Sequence, residues 1–300
     1  MKKPMVTIGI PVYNGEEVIE DRVKQILTQT FQNFILIISD NGSTDQTQNI
    51  CEKLIKNDER ITYFRHKENN GPIWNSNFLL NKAVTDYFVW AAVDDIWSKE
   101  FLEKNITILE NNDNIVGCIS EYDLFNRIKD PTSQKIKISV LENIKKFQFV
   151  HPVKGTFEEK IKFLLNFCMG SQIYSVFRTK KLQKVNVLGY YKGWMVDLAL
   201  VLNIIKEGDL EVTEDAIMHK HVAKKSTSII KYMINQKYDL KKIIFLENTF
   251  TFWCLRNLGI KNFFKNFNFF IRLNVKGYYA ILAESIRICK RMSMGQEKYW

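Results

Sequence analysis

The 300-residue sequence has no close pair of cysteines: its five, Cys51, Cys118, Cys168, Cys254 and Cys289, are odd in number, far apart and never in CxxC spacing. That distribution argues against a disulfide framework and a zinc knuckle, and the thiols read as buried apolar groups. Unbroken apolar runs long enough for a signal peptide or a bilayer span are missing too. The start, MKKPMVTIGIPVYN, alternates and breaks at Pro11, so synthesis and folding in the cytoplasm are expected. No internal repeat and no RNA- or DNA-binding motif occurs.

What is present suffices for one sizeable core, or a core with a smaller satellite, at 46% hydrophobic residues. The net charge of +10 is unevenly placed. Residues 1–130 carry 14 Lys and Arg against 20 Asp and Glu, a net −6, whereas residues 131–300 carry 29 against 13, a net +16. An acidic first part suits a cation site, and a basic, aromatic-laced second part suits phosphate-bearing or anionic-membrane partners.

Branched apolar runs alternate with amphipathic stretches: Val6–Val12 then 16–28, Phe34–Ser39 then 45–57, Ile61–Arg65 then 74–83, Tyr87–Val93 then 99–111, and 115–120. Near-continuous runs such as FILIIS and YFVWAAV are expected where helices cover both faces of a sheet, the doubly wound α/β arrangement. Ligands of such sheets bind at the carboxyl ends of strands. Tyr13-Asn14, Asp40-Asn41, His66 and Asp94-Asp95 all fall there. Residues 121–160 read as a long polar excursion, IYSVF at 173–177 as a strand and 194–206 as a helix stopping at Gly208; from Ile229 the chain has helical period.

Two strand-to-helix turns stand out. IGIPVYNGEE brings Pro11, Tyr13 and Asn14 to the ligand edge, and ISDNGSTDQT leaves its strand at Asp40 with Asp45 in the next helix's first turn. Taken singly, those aspartates are equally well explained as turn and cap residues. VWAAVDDIW is chemically sharper. Two adjacent carboxylates after a very apolar strand are costly without a compensating charge, and Mg²⁺ or Mn²⁺ supplies one while gripping a diphosphate. The plain alternative is a turn that caps the helix starting near Ser98.

IPVYN, the SDNGSTDQT loop and the Asp pair together resemble the inverting glycosyltransferases of family 2, well over residues 5–125 and loosely over 170–228. The resemblance implies a GT-A type fold, a mixed sheet flanked by helices, and transfer of a sugar from a nucleoside diphosphate donor, a UDP-sugar first, to a glycan or lipid-linked acceptor in cell-surface polysaccharide synthesis. It places Pro11, Tyr13, Asn14 and Asp40 around the nucleoside, Asn70 in the turn and Asn77 on the helix bordering the donor, and Asp94 and Asp95 at the diphosphate. The family's segment reads Asp-x-Asp-Asp; here the first place is Ala92, leaving Asp94 as the leading metal ligand. Asp197, in GYYKGWMVDLALVLNIIKEG, occupies the place of the family's base, which must deprotonate the acceptor hydroxyl.

Three weaker groups follow. In EDAIMHKHVAKKSTS, His219 and His221 project to one face of an extended segment, where His221 could complete a metal shell, and Lys220, Lys224 and Lys225 could neutralise phosphate. Arg178 is a phosphate or acceptor contact or else a scaffold residue. The tail, FTFWCLRNLGIKNFFKNFNFFIRLNVKGYYAIL, is too interrupted to span a bilayer. It suits an interfacial helix on the inner face of the plasma membrane, or a helical domain packing its aromatics inward or against another subunit. The expected layout is a catalytic domain over 1–228, with a nucleotide-sugar half to residue 130 and an acceptor-side half over 131–228, followed by a helical basic extension over 229–300. The alternatives are a nucleotidyltransferase, which lacks here the basic Gly-rich loop after its first strand, and an inactive nucleotide-sugar-binding protein, to which Ala92 is the one pointer.

Overall fold

β1 (Val6–Val12) and β2 (Phe34–Asp40) run parallel in full register, Val6 opposite Phe34 through Val12 opposite Asp40. β3 (Ile61–Arg65) continues beyond β2, and β4 (Tyr87–Trp90) pairs with the other side of β1, both parallel. In this computed structural model the description covers residues 4–129, 136–140, 150–167, 170–191, 193, 195–221 and 246–293. The remaining strands are β5 (Ile96–Trp97), β6 (Ile115–Lys129), β7 (Ile136–Val140), β8 (Val176–Arg178) and β9 (Asp209–His221), completing one mixed sheet in the order β3-β2-β1-β4-β8-β6-β9-β5, with β7 on β6. β8 is antiparallel to β4 and β6, β9 is parallel to β6, and β5 is antiparallel to β9.

The β6–β9 ladder carries an irregularity. Ser120 pairs with Thr213 but Glu121 with Ile217, so residues 214–216 lie outside the pairing. Downstream, Asp123 stands opposite His219, which also pairs with Ile96 of β5.

Helices α1 (Ile19–Leu27), α2 (Thr47–Asn57), α3 (Pro72–Lys82) and α4 (Phe101–Asn111) bury the apolar faces that their periodicity predicts. α3 opens on Gly71 at φ 88°, with Pro72 in its first turn, a position that suits proline. α5 (Phe157–Phe167) and α6 (Thr179–Lys184) follow, and then α7 (Val196–Ile204), in which every residue from Leu198 to Ile204 is buried. Such a helix is apolar all round because it runs through the core.

Several sequence-based boundaries shift, and three of the shifts have a visible cause or pairing. α1 begins at Ile19, not at residue 16, because Glu16 bonds across to the next turn: its N–H donates to Asp45 and its carboxylate accepts the Gln46 N–H. IYSVF is only partly strand, since Gly170–Tyr174 is a 3-10 turn ahead of β8. β6 continues to Lys129 and pairs antiparallel with β7, Phe125 opposite Val140 through Lys129 opposite Ile136, within the stretch read as a long polar excursion. Cys51, Cys118 and Cys254 are free and buried; Cys168 and the side chain of Cys289 lie outside the description.

The chain divides into two compact units, one of 1–192 with 196–223, the other of 193–195 with 224–300. The described part of the second comprises α8 (Leu246–Asn257), α9 (Ile260–Lys265) and α10 (Phe267–Ser293). Among the described residues no helix is long and apolar enough to cross a membrane.

Candidate functional site

At the carboxyl ends of β1 and β2 the two turns are laced together. Asn14 takes a left-handed conformation, φ 52°, which asparagine tolerates. Its N–H donates to Ser43 Oγ at 2.9 Å and its Oδ1 accepts the Thr44 N–H at 2.8 Å. Gly15 N–H donates to Thr47 Oγ1 at 2.8 Å. Asp40 is fully buried; its Oδ1 accepts the Ser43 N–H at 2.8 Å and its Oδ2 the Tyr63 hydroxyl at 2.7 Å, with Arg65 Nε 3.7 Å away. Burial, and then the bond to Asp40, push the Tyr63 phenol far above its ordinary value, so it remains a donor.

Asn41 ties in the third turn, donating to Asn69 Oδ1 at 2.8 Å and the Gly71 carbonyl at 3.1 Å while accepting the Asn70 N–H at 3.1 Å. Gly42 is required between them. Its φ is 76° and a Cβ there would stand 2.8 Å from the Glu68 carbonyl carbon. The result is a floor of interlocked turns under Tyr13, whose ring is exposed.

The second half of the site begins where β4 ends. A turn at 91–95 leads into β5, whose pairing with β9 sets Asp94 and Asp95 against His221. Asp95 is buried and accepts the His221 N–H at 3.1 Å; Asp94, with 45% of its side chain exposed, lies with Oδ2 3.2 Å from His221 Nδ1. Burial, reinforced by the neighbouring Asp94 charge, raises the Asp95 carboxyl above its usual range.

Lys220 points to the other face of β9. Its ammonium stands 4.4 Å from the Tyr174 ring centroid and 5.1 Å from that of Tyr122. Burial lowers its pKa, while the charges of Asp95, Asp197 and Asp94 oppose that shift. Three carboxylates thus act on one ammonium. Burial and the same three carboxylates hold the Tyr174 phenol protonated.

Asp197 sits in the first turn of α7, with Oδ1 accepting the Leu198 N–H at 2.9 Å. Gly170, at the start of the 3-10 turn, gives it room: a Cβ on Gly170 would lie 2.3 Å from Asp197 Oδ2. The structure therefore gathers Asp94, Asp95, Asp197, Lys220 and His221 beside the β1–β2 turns, where Val93 lies 3.7 Å from the Cβ position of Gly15.

Other sequence candidates are placed differently. Arg178 lies opposite Tyr87, at the amino end of β4, and its guanidinium donates to the carbonyls of Ile115 and Leu109; the structure does not bring it to the carboxylates. Asn77 accepts a bond from Asn186 at 2.7 Å, and Asn70 donates to the Glu68 carbonyl at 3.1 Å. His219 bonds Asp123 at 2.6 Å rather than either Asp of the pair. Lys224 and Lys225 lie outside the described residues. Sequence reasoning did not single out Gly170, Tyr122 or Tyr174, because each joins the site through pairings or turns distant in sequence.

Residues 7–185 match the family model described as glycosyl transferase family 2. An uncharacterized glycosyltransferase of Haemophilus influenzae is 34% identical over 167 residues, covering 55% of this chain and 66% of the relative. The chain thus spans just under two thirds of that relative's length. TuaG of Bacillus subtilis, whose assigned role as a teichuronic acid biosynthesis glycosyltransferase is itself provisional, is 28% identical over 207 residues, 69% of this chain and 74% of the relative. Two solved structures share the fold at low identity. TarS of S. aureus in complex with UDP-GlcNAc has a TM-score of 0.58 at 15% identity, covering 99% of this chain and 93% of that one. The mannosyltransferase PcManGT of Pyrobaculum calidifontis in complex with GDP-Man and Mn²⁺ has 0.57 at 13%, covering 98% and 76%.

Proposed function

The chain belongs to glycosyl transferase family 2, and from that premise we propose that it transfers a sugar, with inversion, from a uridine diphosphate donor to a hydroxyl of a cell-surface glycan or a lipid-linked precursor. The observation that carries this reading is the pairing of β5 with β9, which sets Asp94 and Asp95 against His221 beside the interlocked β1–β2 turns. A floor of turns with an exposed Tyr13 ring suits a base, and Asp40, Asn14 and Pro11 frame it. Asp197, its Oδ1 bonded to the Leu198 N–H, is the general base for the acceptor hydroxyl. The Lys220 ammonium offers the leaving diphosphate a fixed positive charge.

A divalent ion fits this edge as a partner of the donor. The Asp94 carboxylate and the His221 imidazole are ligand types that Mn²⁺ accepts. The described residues contain no group of three His, Cys, Asp or Glu placed to hold a metal unaided. Mn²⁺ or Mg²⁺ would therefore be bound with phosphate oxygens and water completing its shell, and it would supply charge neutralisation to the departing diphosphate. Asp95, buried and bonded to the His221 backbone, positions that strand. The names of the relatives support the polysaccharide setting and both kinds of nucleotide-sugar donor; the exposed Tyr13 and buried Asp40 make uridine our choice.

A thermal-shift panel of nucleoside diphosphates and nucleotide-sugars, each with and without Mn²⁺, tests the reading. Uridine compounds should stabilise the protein, more so with Mn²⁺, and Asp94→Asn should abolish the Mn²⁺ increment alone. Stabilisation by none of them would sink the donor assignment.

A further inference from the structure

The second unit leaves a face of its longest helix uncovered. Its own core is made by Phe250, Trp253, Cys254, Phe263, Phe269 and Phe270, all buried, and Asn274 donates to Thr251 Oγ1 at 2.9 Å to tie α10 to α8. With that core closed, seven large apolar side chains of α10 remain in solvent, Tyr279 and six others. Phe267 is 44% exposed, Ile271 47%, Val275 62%, Tyr278 40%, Leu282 59% and Ile286 59%.

Their separations of three and four residues put all six on one helical face, a stripe about 28 Å long at ~1.5 Å per residue. Single exposed apolar residues are ordinary; a continuous stripe marks an interaction surface. Beside one margin of it, on the same wheel, stand Arg272 and Lys290, with Lys276 and Arg287 further round, all four exposed. Residues 250–293 hold eight Lys and Arg and a single acid, Glu284.

Charge decides what covers the stripe. A second copy of the chain would bring like charge against like charge. A spanning segment is not available among the described helices. An anionic lipid surface satisfies both features at once, since the acyl boundary takes the apolar side chains while basic margins meet headgroups and long Lys and Arg stems reach up to them. We propose that α10 lies in the plane of an anionic bilayer surface, with Phe267, Ile271, Val275, Tyr278, Leu282 and Ile286 inserted and the Arg272–Lys290 margin on the headgroups. The proposal is independent of the transfer reading.

The test is co-sedimentation of the full chain with vesicles of phosphatidylcholine alone or mixed with phosphatidylglycerol. Binding to the anionic vesicles should be stronger by about tenfold or more and should fall with added salt. Val275→Asp with Leu282→Asp should lower it about tenfold or more, and Arg272→Glu with Lys290→Glu should remove the preference for phosphatidylglycerol. All four sites are exposed, and circular dichroism matching the parent checks that the variants fold. Equal binding to both vesicles, no binding, or binding unchanged in either variant overturns the proposal. So does a concentration-dependent dimer that the Asp variant abolishes without any vesicle binding, which would assign the stripe to a second copy.

Discussion

At the β1–β2 end of the site, Asp40, Asn41 and Asn14 are bonded to backbone and hydroxyl groups of neighbouring turns. At the β4–β9 end, Asp94 and Asp95 are set side by side against His221, Asp94 is nearly half exposed, and the Lys220 ammonium lies over the Tyr122 and Tyr174 rings. The first end is rigid before anything binds, because each polar group already has a partner inside the protein. The second holds like charges near one another, an arrangement that favours whatever brings positive charge or takes up a proton. Recognition of a base profits from the first kind of construction and proton transfer from the second.

Substitutions should separate the two ends. The largest effect is expected at the charged end: Asp197→Asn should lower turnover about 10³-fold, the usual range for a general base, while nucleoside diphosphate binding measured by calorimetry is kept. Near-normal turnover would assign the base elsewhere. Gly170→Ala comes next. A methyl group 2.3 Å from Asp197 Oδ2 must displace the carboxylate, and a misplacement of about 1 Å costs on the order of 10²-fold in rate. That loss should appear in kcat with the melting temperature little changed.

At the bonded end the readout is stability. Tyr63→Phe removes a donor from buried Asp40 and should destabilise the fold by about 1–2 kcal/mol in urea unfolding, along with weaker donor binding. The smallest effect concerns His66, whose ring bonds Ser39 Oγ at 2.9 Å and whose pKa burial lowers. A base depressed in the native state leaves it with fewer protons than the unfolded chain. Stability present above pH ~6.5 is therefore lost as pH falls toward the native value. His66→Gln should flatten that acid-side slope; an unchanged slope would point to another group.

The bonded end was readable in the sequence because it is local. IPVYN and SDNGSTDQT each join a strand to a helix within a few residues, and turn chemistry fixes where Asn14, Asp40 and Asn41 must lie. The charged end was half readable. Asp94-Asp95 announces itself by the cost of adjacent carboxylates, but Lys220 stands between two histidines as one lysine of several, and only the β6–β9 ladder places it over Tyr122. Gly170 carries no signal at all until α7 and the 3-10 turn meet. Arg178, read as a phosphate or acceptor contact or else a scaffold residue, stayed open for the opposite reason. A lone arginine beside a strand looks the same whether it grips a phosphate or, as here, the carbonyls of the α4–β6 turn.

The three residues that loop out of the β6–β9 ladder at 214–216 determine which side chains of β9 face which way. Side chains alternate along a strand, so a one-residue slip of the pairing beyond this loop would exchange the faces of Lys220 and His221 without substituting either. The chemistry of this edge is therefore encoded partly in a length. Among relatives that differ by insertion or deletion at this bulge, such a slip would trade an ammonium for an imidazole at this edge without a substitution, a change that comparison of residue identities column by column would misread as two point mutations.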